Sequence, residues 1–287
     1  MNTTFAQLDF RLTAAYGNIY IRPQTDLNMH IKAENYITIG FQADYYFTEK
    51  IGIGAGADYY VKDSQFDVIL SSYAHSYSGT DNWEVDPYPR DYVFTIRSNV
   101  PDIVERNTLS FIEVPVSVVY SFPLYNNVYL TSRLGAKAGI PLTDSYILNE
   151  SDLFTRLYFP EWDLELFEIP AHGLYDSRTD WHPEGELKLN EVYSVFTEVG
   201  LDFPISPLKV RVSGYFSYAL NDMIREKESS LIYWREEYNN VLSITESTRI
   251  IQIGIKVGIG IMSHGEKKGK YKDRSHCAWE TACIDFK

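Results

Sequence analysis

Thirteen ionisable side chains occupy the polar positions of segments that alternate apolar and polar residues with period two. The acids are Asp9, Asp44, Asp58, Glu113, Glu198 and Asp202; the bases are Arg11, Lys62, Arg133, Lys137, Lys209, Arg211 and Lys256. If the segments enclose one interior, six acids meet seven bases where little water reaches. Buried charges must then pair and hydrogen-bond, because an isolated one costs several kcal/mol. That chemistry is a salt-bridged plug, and its competitor is a pathway for protons or ions.

Other candidate groups are thinner. Asp180-Trp181-His182 and His172 suggest a metal or hydrolytic site, but lone histidines in a connection are mostly ordinary surface residues. Asp81, Glu84 and Asp86 have calcium-binding chemistry, and solvation explains such a cluster more simply. No nucleophile elbow, metalloprotease helix motif or phosphate-binding loop is present. No catalytic residue, metal or cofactor is therefore expected. Cys277 and Cys283, the two cysteines, could form a local disulfide in an oxidising compartment. A zinc site that adds His264 and His276 is the alternative.

Eight segments must position the charges. Their apolar faces include Leu8, Phe10, Leu12 and Ala14 in the first, and Ile37, Ile39, Phe41, Ala43, Tyr45 and Phe47 in the second. The last is the most regular, with Ile251, Ile253, Ile255, Val257, Ile259 and Ile261 opposite Gln252, Gly254, Lys256, Gly258 and Gly260. The segments run about 10 to 14 residues, against about 9 to 11 for a tilted membrane-crossing strand and about 5 to 6 for an ordinary one. Three connections are short, around Thr48-Glu49-Lys50, Tyr125-Asn126-Asn127 and Ser206-Pro207. Four are long, at about 15–34, 63–108, 143–190 and 221–248. Short turns alternating with long loops are the pattern of outer-membrane barrels. Outward-parity Tyr45, Phe47, Tyr120, Phe122 and Phe203 cluster at the short-turn end, and Tyr59, Tyr193 and Tyr218 at the other, as two interfacial girdles require. A soluble barrel with its apolar face inward is the competing arrangement. It would put the charged, glycine-rich face in water.

The stretches Gly40-Phe41-Gln42-Ala43-Asp44-Tyr45-Tyr46-Phe47, Ile51-Gly52-Ile53-Gly54-Ala55-Gly56 and Phe111-Ile112-Glu113-Val114-Pro115 carry a resemblance. Across most of residues 5–262 the chain resembles the outer-membrane β-barrel domain common in Bacteroidetes (porin-family or PorT-like, of the OmpA/OmpX-like eight-stranded kind). The resemblance implies barrel architecture and no single activity, and the word porin in the family name does not imply a pore. The expected fold is all-β: an eight-stranded antiparallel up-and-down transmembrane barrel over 1–262, with a periplasmic tail over 263–287. Thr3-Thr4-Phe5-Ala6-Gln7 resembles the small-residue end of a signal peptide.

The net charge of −13 excludes nucleic acid as a partner. The acids concentrate in the three longest connections, which hold 25 acids and nine bases. Solvation beside anionic lipopolysaccharide accounts for such charge. The same connections carry Trp83, Tyr88, Tyr92, Phe159, Trp162, Phe167, Trp181, Tyr233 and Trp234, too many large apolar groups to remain in water. They are expected to form a folded cap that contacts a partner. The basic stretch Lys267–Arg274 suits anionic head groups or a free end. The resulting expectation is a non-enzymatic outer-membrane barrel, in contact with lipid and lipopolysaccharide. Its loops bind another outer-membrane or surface protein, as in an accessory subunit. A small channel or transporter, and a membrane-embedded hydrolase with its site in 143–190, are the alternatives.

Overall fold

Alternating β-branched and aromatic residues produce strands throughout. The computed structural model describes residues 7–32, 35–62, 64–82, 91–125, 128–149, 151–168, 174–205, 208–232 and 238–262. The strands are β1 (Gln7–Gln24), β2 (Met29–Lys32), β3 (Asn35–Tyr46), β4 (Ile51–Lys62), β5 (Ser64–Asn82), β6 (Asp91–Tyr125) and β7 (Val128–Leu148). They continue with β8 (Ser151–Phe159), β9 (Leu164–Leu166), β10 (Tyr175–Trp181), β11 (Glu184–Glu186), β12 (Val192–Ile205), β13 (Leu208–Ala219) and β14 (Ser247–Met262). A short 3-10 helix, Val241–Ile244, precedes β14. No helix among the described residues is long and apolar enough to cross a membrane.

Every ladder is antiparallel. Pairing runs β6–β4–β3–β1–β14–β13–β12–β7, and β7 pairs again with β6, so the path returns to its start. No strand of this circuit is left with an open edge, so the backbone groups of its central rows find partners within it.

The burial of this circuit is inverted near the short turns. Asp9, Arg11, Asp44, Arg133, Asp202 and Arg211 are each at most 3% exposed, whereas Leu12 is 74% and Ile255 59% exposed. Farther from the turns the polarity reverses on the same strands. Inward positions of β1 change from Asp9, Arg11 and Thr13 to Ala15, Ile19 and Ile21. A hydrophobic core forms there from Ile19, Ile21, Phe66, Val68, Leu70 and Val100 together with residues of β7 and of the segment before β14.

The long connections therefore differ from the loops expected over 15–34, 63–108 and 143–190. β1 continues to Gln24, β5 and β6 form a long hairpin, β7 continues to Leu148, and β8 to β11 lie within 143–190. The physical reason is continuity of the ladders: each added residue pair extends a formed sheet, and inward Ile, Val and Leu bury against each other. Among the described residues of these connections, 221–232 and 238–246 are largely without strands, and they fold over the core rather than away from it.

Candidate functional site

The inward side chains form tiers, ordered here from the short-turn end. The first is an arginine–aspartate tier. Asp44 of β3 accepts from Arg11 of β1 at 2.8 Å and from Arg133 of β7, with Arg211 of β13 at 3.8 Å. Asp202 of β12 accepts from Arg211 Nη2 at 2.6 Å and from Thr131 Oγ1 at 2.8 Å, and Lys209 Nζ lies 3.2 Å away. Asp9 accepts from Lys209 at 3.1 Å and lies 3.7 Å from Arg11. Gly54 on β4 makes room, since a Cβ there would stand 2.5 Å from Asp44 Oδ1.

The second tier is built on lysines and carboxylates. Lys256 of β14 donates to Asp58 of β4 at 2.8 Å, and Thr13 Oγ1 donates to the same carboxylate at 3.2 Å. Lys137 of β7 donates to Glu113 of β6 at 2.7 Å, and Gln252 Nε2 donates to Glu113 at 3.0 Å. Glu198 accepts from Ser213 Oγ at 2.9 Å and stands opposite Arg133 in the β7–β12 ladder. The space left between Asp58, Glu113, Lys137, Glu198 and Lys256 is about 20 Å³, which holds about one water. The structure thus brings together twelve of the thirteen charges singled out above; the side chain of Lys62 lies outside the described residues.

A tyrosine tier separates charge from hydrocarbon. Tyr36 stacks on Tyr60 at 5.2 Å, and Tyr60 meets the edge of Phe111 at 5.8 Å. Tyr60 donates to Glu113 at 3.1 Å, and Tyr36 and Tyr215 join through their hydroxyls. Each ring faces the apolar core while its hydroxyl reaches the polar tier, the use to which an amphipathic ring is suited.

Above lies the apolar core, closed by residues 221–232 and 238–246. Met223, Leu231, Val241 and Leu242 are fully buried in it. Among the described residues one carboxylate stands in this core with no exposure, Glu105 of β6. It accepts from Tyr238 Oη at 2.7 Å, Val241 N at 2.9 Å, Asn107 Nδ2 at 2.9 Å and the Asn240 side chain. Burial pushes its carboxyl up to about 7, against the pull of these donors. Tyr238 in turn is raised by burial and by the neighbouring Glu105. The sequence reading missed this cluster. Its signal is an Ile103-x-Glu105-x-Asn107-x-Leu109 alternation, in which two polar residues interrupt an apolar inward face.

The residues expected to bind a partner divide. Trp181 and Phe159 are 3% and 6% exposed, so they pack inside the folded part. Trp181 packs edge-on against Tyr238 at 5.3 Å in the main core, and Phe159 packs with Phe94 and Ile96 in a small satellite core. Trp162 and Phe167 are exposed, with Leu164 between them, on the β8–β9 hairpin. Asp163 and Glu168 hold left-handed φ of 49° and 55° beside them, a conformation that costs about 1–3 kcal/mol where it is not glycine. Trp83, Tyr88, Tyr233, Trp234, His172, Glu84, Asp86, Cys277 and Cys283 lie outside the described residues, as do the side chains of Tyr92, Asp81 and Asp180. No group of three or more His, Cys, Asp or Glu that could hold a metal occurs among the described residues.

No family model matches the chain, and no curated protein does. Among solved structures it is similar to Ail, the attachment invasion locus protein of Yersinia pestis, with 10% identity, 88% of this chain and 98% of that one covered, and a TM-score of 0.32. It is similar to the outer membrane protein OprG from Pseudomonas aeruginosa, with 10% identity, coverages of 89% and 96%, and a TM-score of 0.39. The outer membrane protease OmpT from Escherichia coli aligns with 10% identity, coverages of 90% and 96%, and a TM-score of 0.28. Likeness this distant carries no argument about chemistry. The functional reading rests on the tiers themselves.

Proposed function

We propose that the chain is an eight-stranded β-barrel of the Gram-negative outer membrane. In this reading its interior is closed, both termini are periplasmic, and it acts without catalysis by presenting a folded extracellular superstructure to another outer-membrane or surface protein. The observation that carries this is the reversal of polarity along single strands. Only a protein half in hydrocarbon and half in water gains by burying charge below and Ile, Leu and Val above. The outward run Ile251–Ile261 of β14, on a tilted strand, covers roughly 25 Å, the height of the apolar band of such barrels. Tyr45, Phe47, Tyr120 and Phe122 are exposed at its lower rim and Tyr59 and Tyr193 at its upper rim, where interfacial rings belong.

Paired charges, a single-water cavity and an apolar cap stacked along one axis support a closed interior over a channel. For the partner, the support is the segment 159–168, where exposed Trp162, Leu164 and Phe167 alternate with Glu161, Asp163, Glu165 and Glu168. The kinship to Bacteroidetes PorT-like barrels belongs to the same reading and rests on the strand motifs alone. Purification from native outer membranes tests it. The protein is expected to resist carbonate extraction and to emerge in mild detergent with a second protein in fixed ratio. Release by carbonate would defeat the membrane assignment, and consistent purification alone would defeat the partner.

A further inference from the structure

We propose that the segment Tyr238–Thr245 is a latch held shut by proton uptake at Glu105, so that the cap loosens as the surrounding medium becomes more alkaline. The segment has no ladder of its own. Its Val241–Ile244 turn is capped by the Asn240 side chain, which accepts from Leu242 N at 2.8 Å. Its main polar anchor to the strands is one carboxylate: Tyr238, Asn240 and the Val241 amide all donate to Glu105. Tyr146 Oη adds a bond to the Tyr238 carbonyl at 3.1 Å. Uncharged hydrogen bonds add to these: Asn240 Nδ2 to Asn107 Oδ1 at 2.8 Å, Thr245 Oγ1 with Thr248 Oγ1 at 2.8 Å, Asn239 to the Leu231 and Ser230 carbonyls, and the Glu228 amide to the Ser243 carbonyl. The rest is apolar contact.

None of the donors to Glu105 is a base. Among the described residues the titratable groups that face it are Tyr238 from the segment and Tyr146 from β7. Asn107 lies on its own strand, and the neighbouring Arg106 points outward to Asp67 on β5 at 3.1 Å. From β5 the core adds Phe66 and Val68, and from β10 Trp181, none of which ionises. Among the described residues this carboxylate has hydrogen bonds but no counter-charge, and its burial raises it to about 7. The docked form therefore holds a proton that the released form gives up. Docking is strongest below the ordinary carboxyl range and weakens as pH rises through about 7, by up to about tenfold per pH unit between those limits. In the charged state the four donors still solvate the anion, so the latch loosens rather than springs open.

The test is amide hydrogen exchange of the full chain in detergent from pH 5 to 8, with each rate divided by its intrinsic chemical rate. Protection of the 241–245 amides is expected to fall by up to about tenfold per pH unit up to pH 7 in the natural protein, and to stay level in Glu105→Gln. Amides of β13 and β14 should stay level in both. A level profile in the natural protein, or the same slope in Glu105→Gln, overturns the proposal. If Glu105→Gln does not fold, Tyr238→Phe decides. It removes a donor that favours the anion, so the fall must move to higher pH, and an unmoved fall overturns the proposal.

Discussion

Asp44 stands where three arginines converge, and its removal separates a structural role from an ornamental one. Asp44→Asn leaves Arg11 and Arg133 without their shared counter-charge at 1% exposure. Breaking a buried pair by deleting one partner costs about 3–5 kcal/mol, because the remaining charge has nowhere to go. The expected result is a lower temperature for loss of the heat-modifiable band in gel electrophoresis. Arg106→Ala, which breaks an exposed pair, should shift it little, since surface pairs are worth about 0–1 kcal/mol. At this scale the sequence was informative: parity alone placed Asp44, Arg133 and Arg211 on one side. Which acid meets which base was not legible, because pairing depends on shear between strands that are far apart in the chain, as Asp44 and Arg133 are. Nor did alternation expose Glu105, since it lies beyond the point where an inward polar residue is the rule.

β14 carries the test of the proposed membrane belt. Its outward isoleucines meet hydrocarbon in the proposed reading, so Ile255→Arg is expected to cost about 2–4 kcal/mol in refolding from urea into lipid. The same substitution at Tyr20, above the belt on β1, should cost less than about 1 kcal/mol. Equal costs at the two positions would remove the belt. β1 also explains why the upper strands read as loops. From Tyr16 to Ile21 the outward residues Tyr16 and Tyr20 and the inward residues Ile19 and Ile21 are all apolar or aromatic. Where the inward face of the strand changes from polar to apolar, both faces carry such residues, and the contrast of period two disappears. The same blending affects Val68-Ile69-Leu70 on β5, with inward Val68 and Leu70 either side of a half-buried Ile69. The strand remained, but its signature did not.

In the proposed reading the interior is blocked at two heights by different chemistry, which would make closure robust to a single lesion. Deleting 238–245 is expected to expose an apolar mouth, measured by increased binding of a hydrophobic dye, without producing stable openings in planar bilayers. The arginine–aspartate tier would still fill the interior, as eight strands enclose little more than their own side chains. Stable openings in the deletion variant would show that the lower tier does not seal. The circuit joins β6, β4, β3, β1, β14, β13, β12 and β7. The superstructure above it was not readable, because its strands pair partly outside the circuit: β8 with β9 and β10, and β5 with β2.

β6 runs from Asp91 to Tyr125, a contour of roughly 115 Å at strand rise, and belongs to the projecting hairpin as well as to the circuit. It is zipped to β5 over the upper part and to β7 over the lower. A load applied at the far end would therefore act along the strand axis, in shear, on many parallel hydrogen bonds at once. Sheets resist that direction far better than peeling. In the proposed reading, a protein gripped from outside at this hairpin would transmit the pull to its base along one continuous strand, as a tether does.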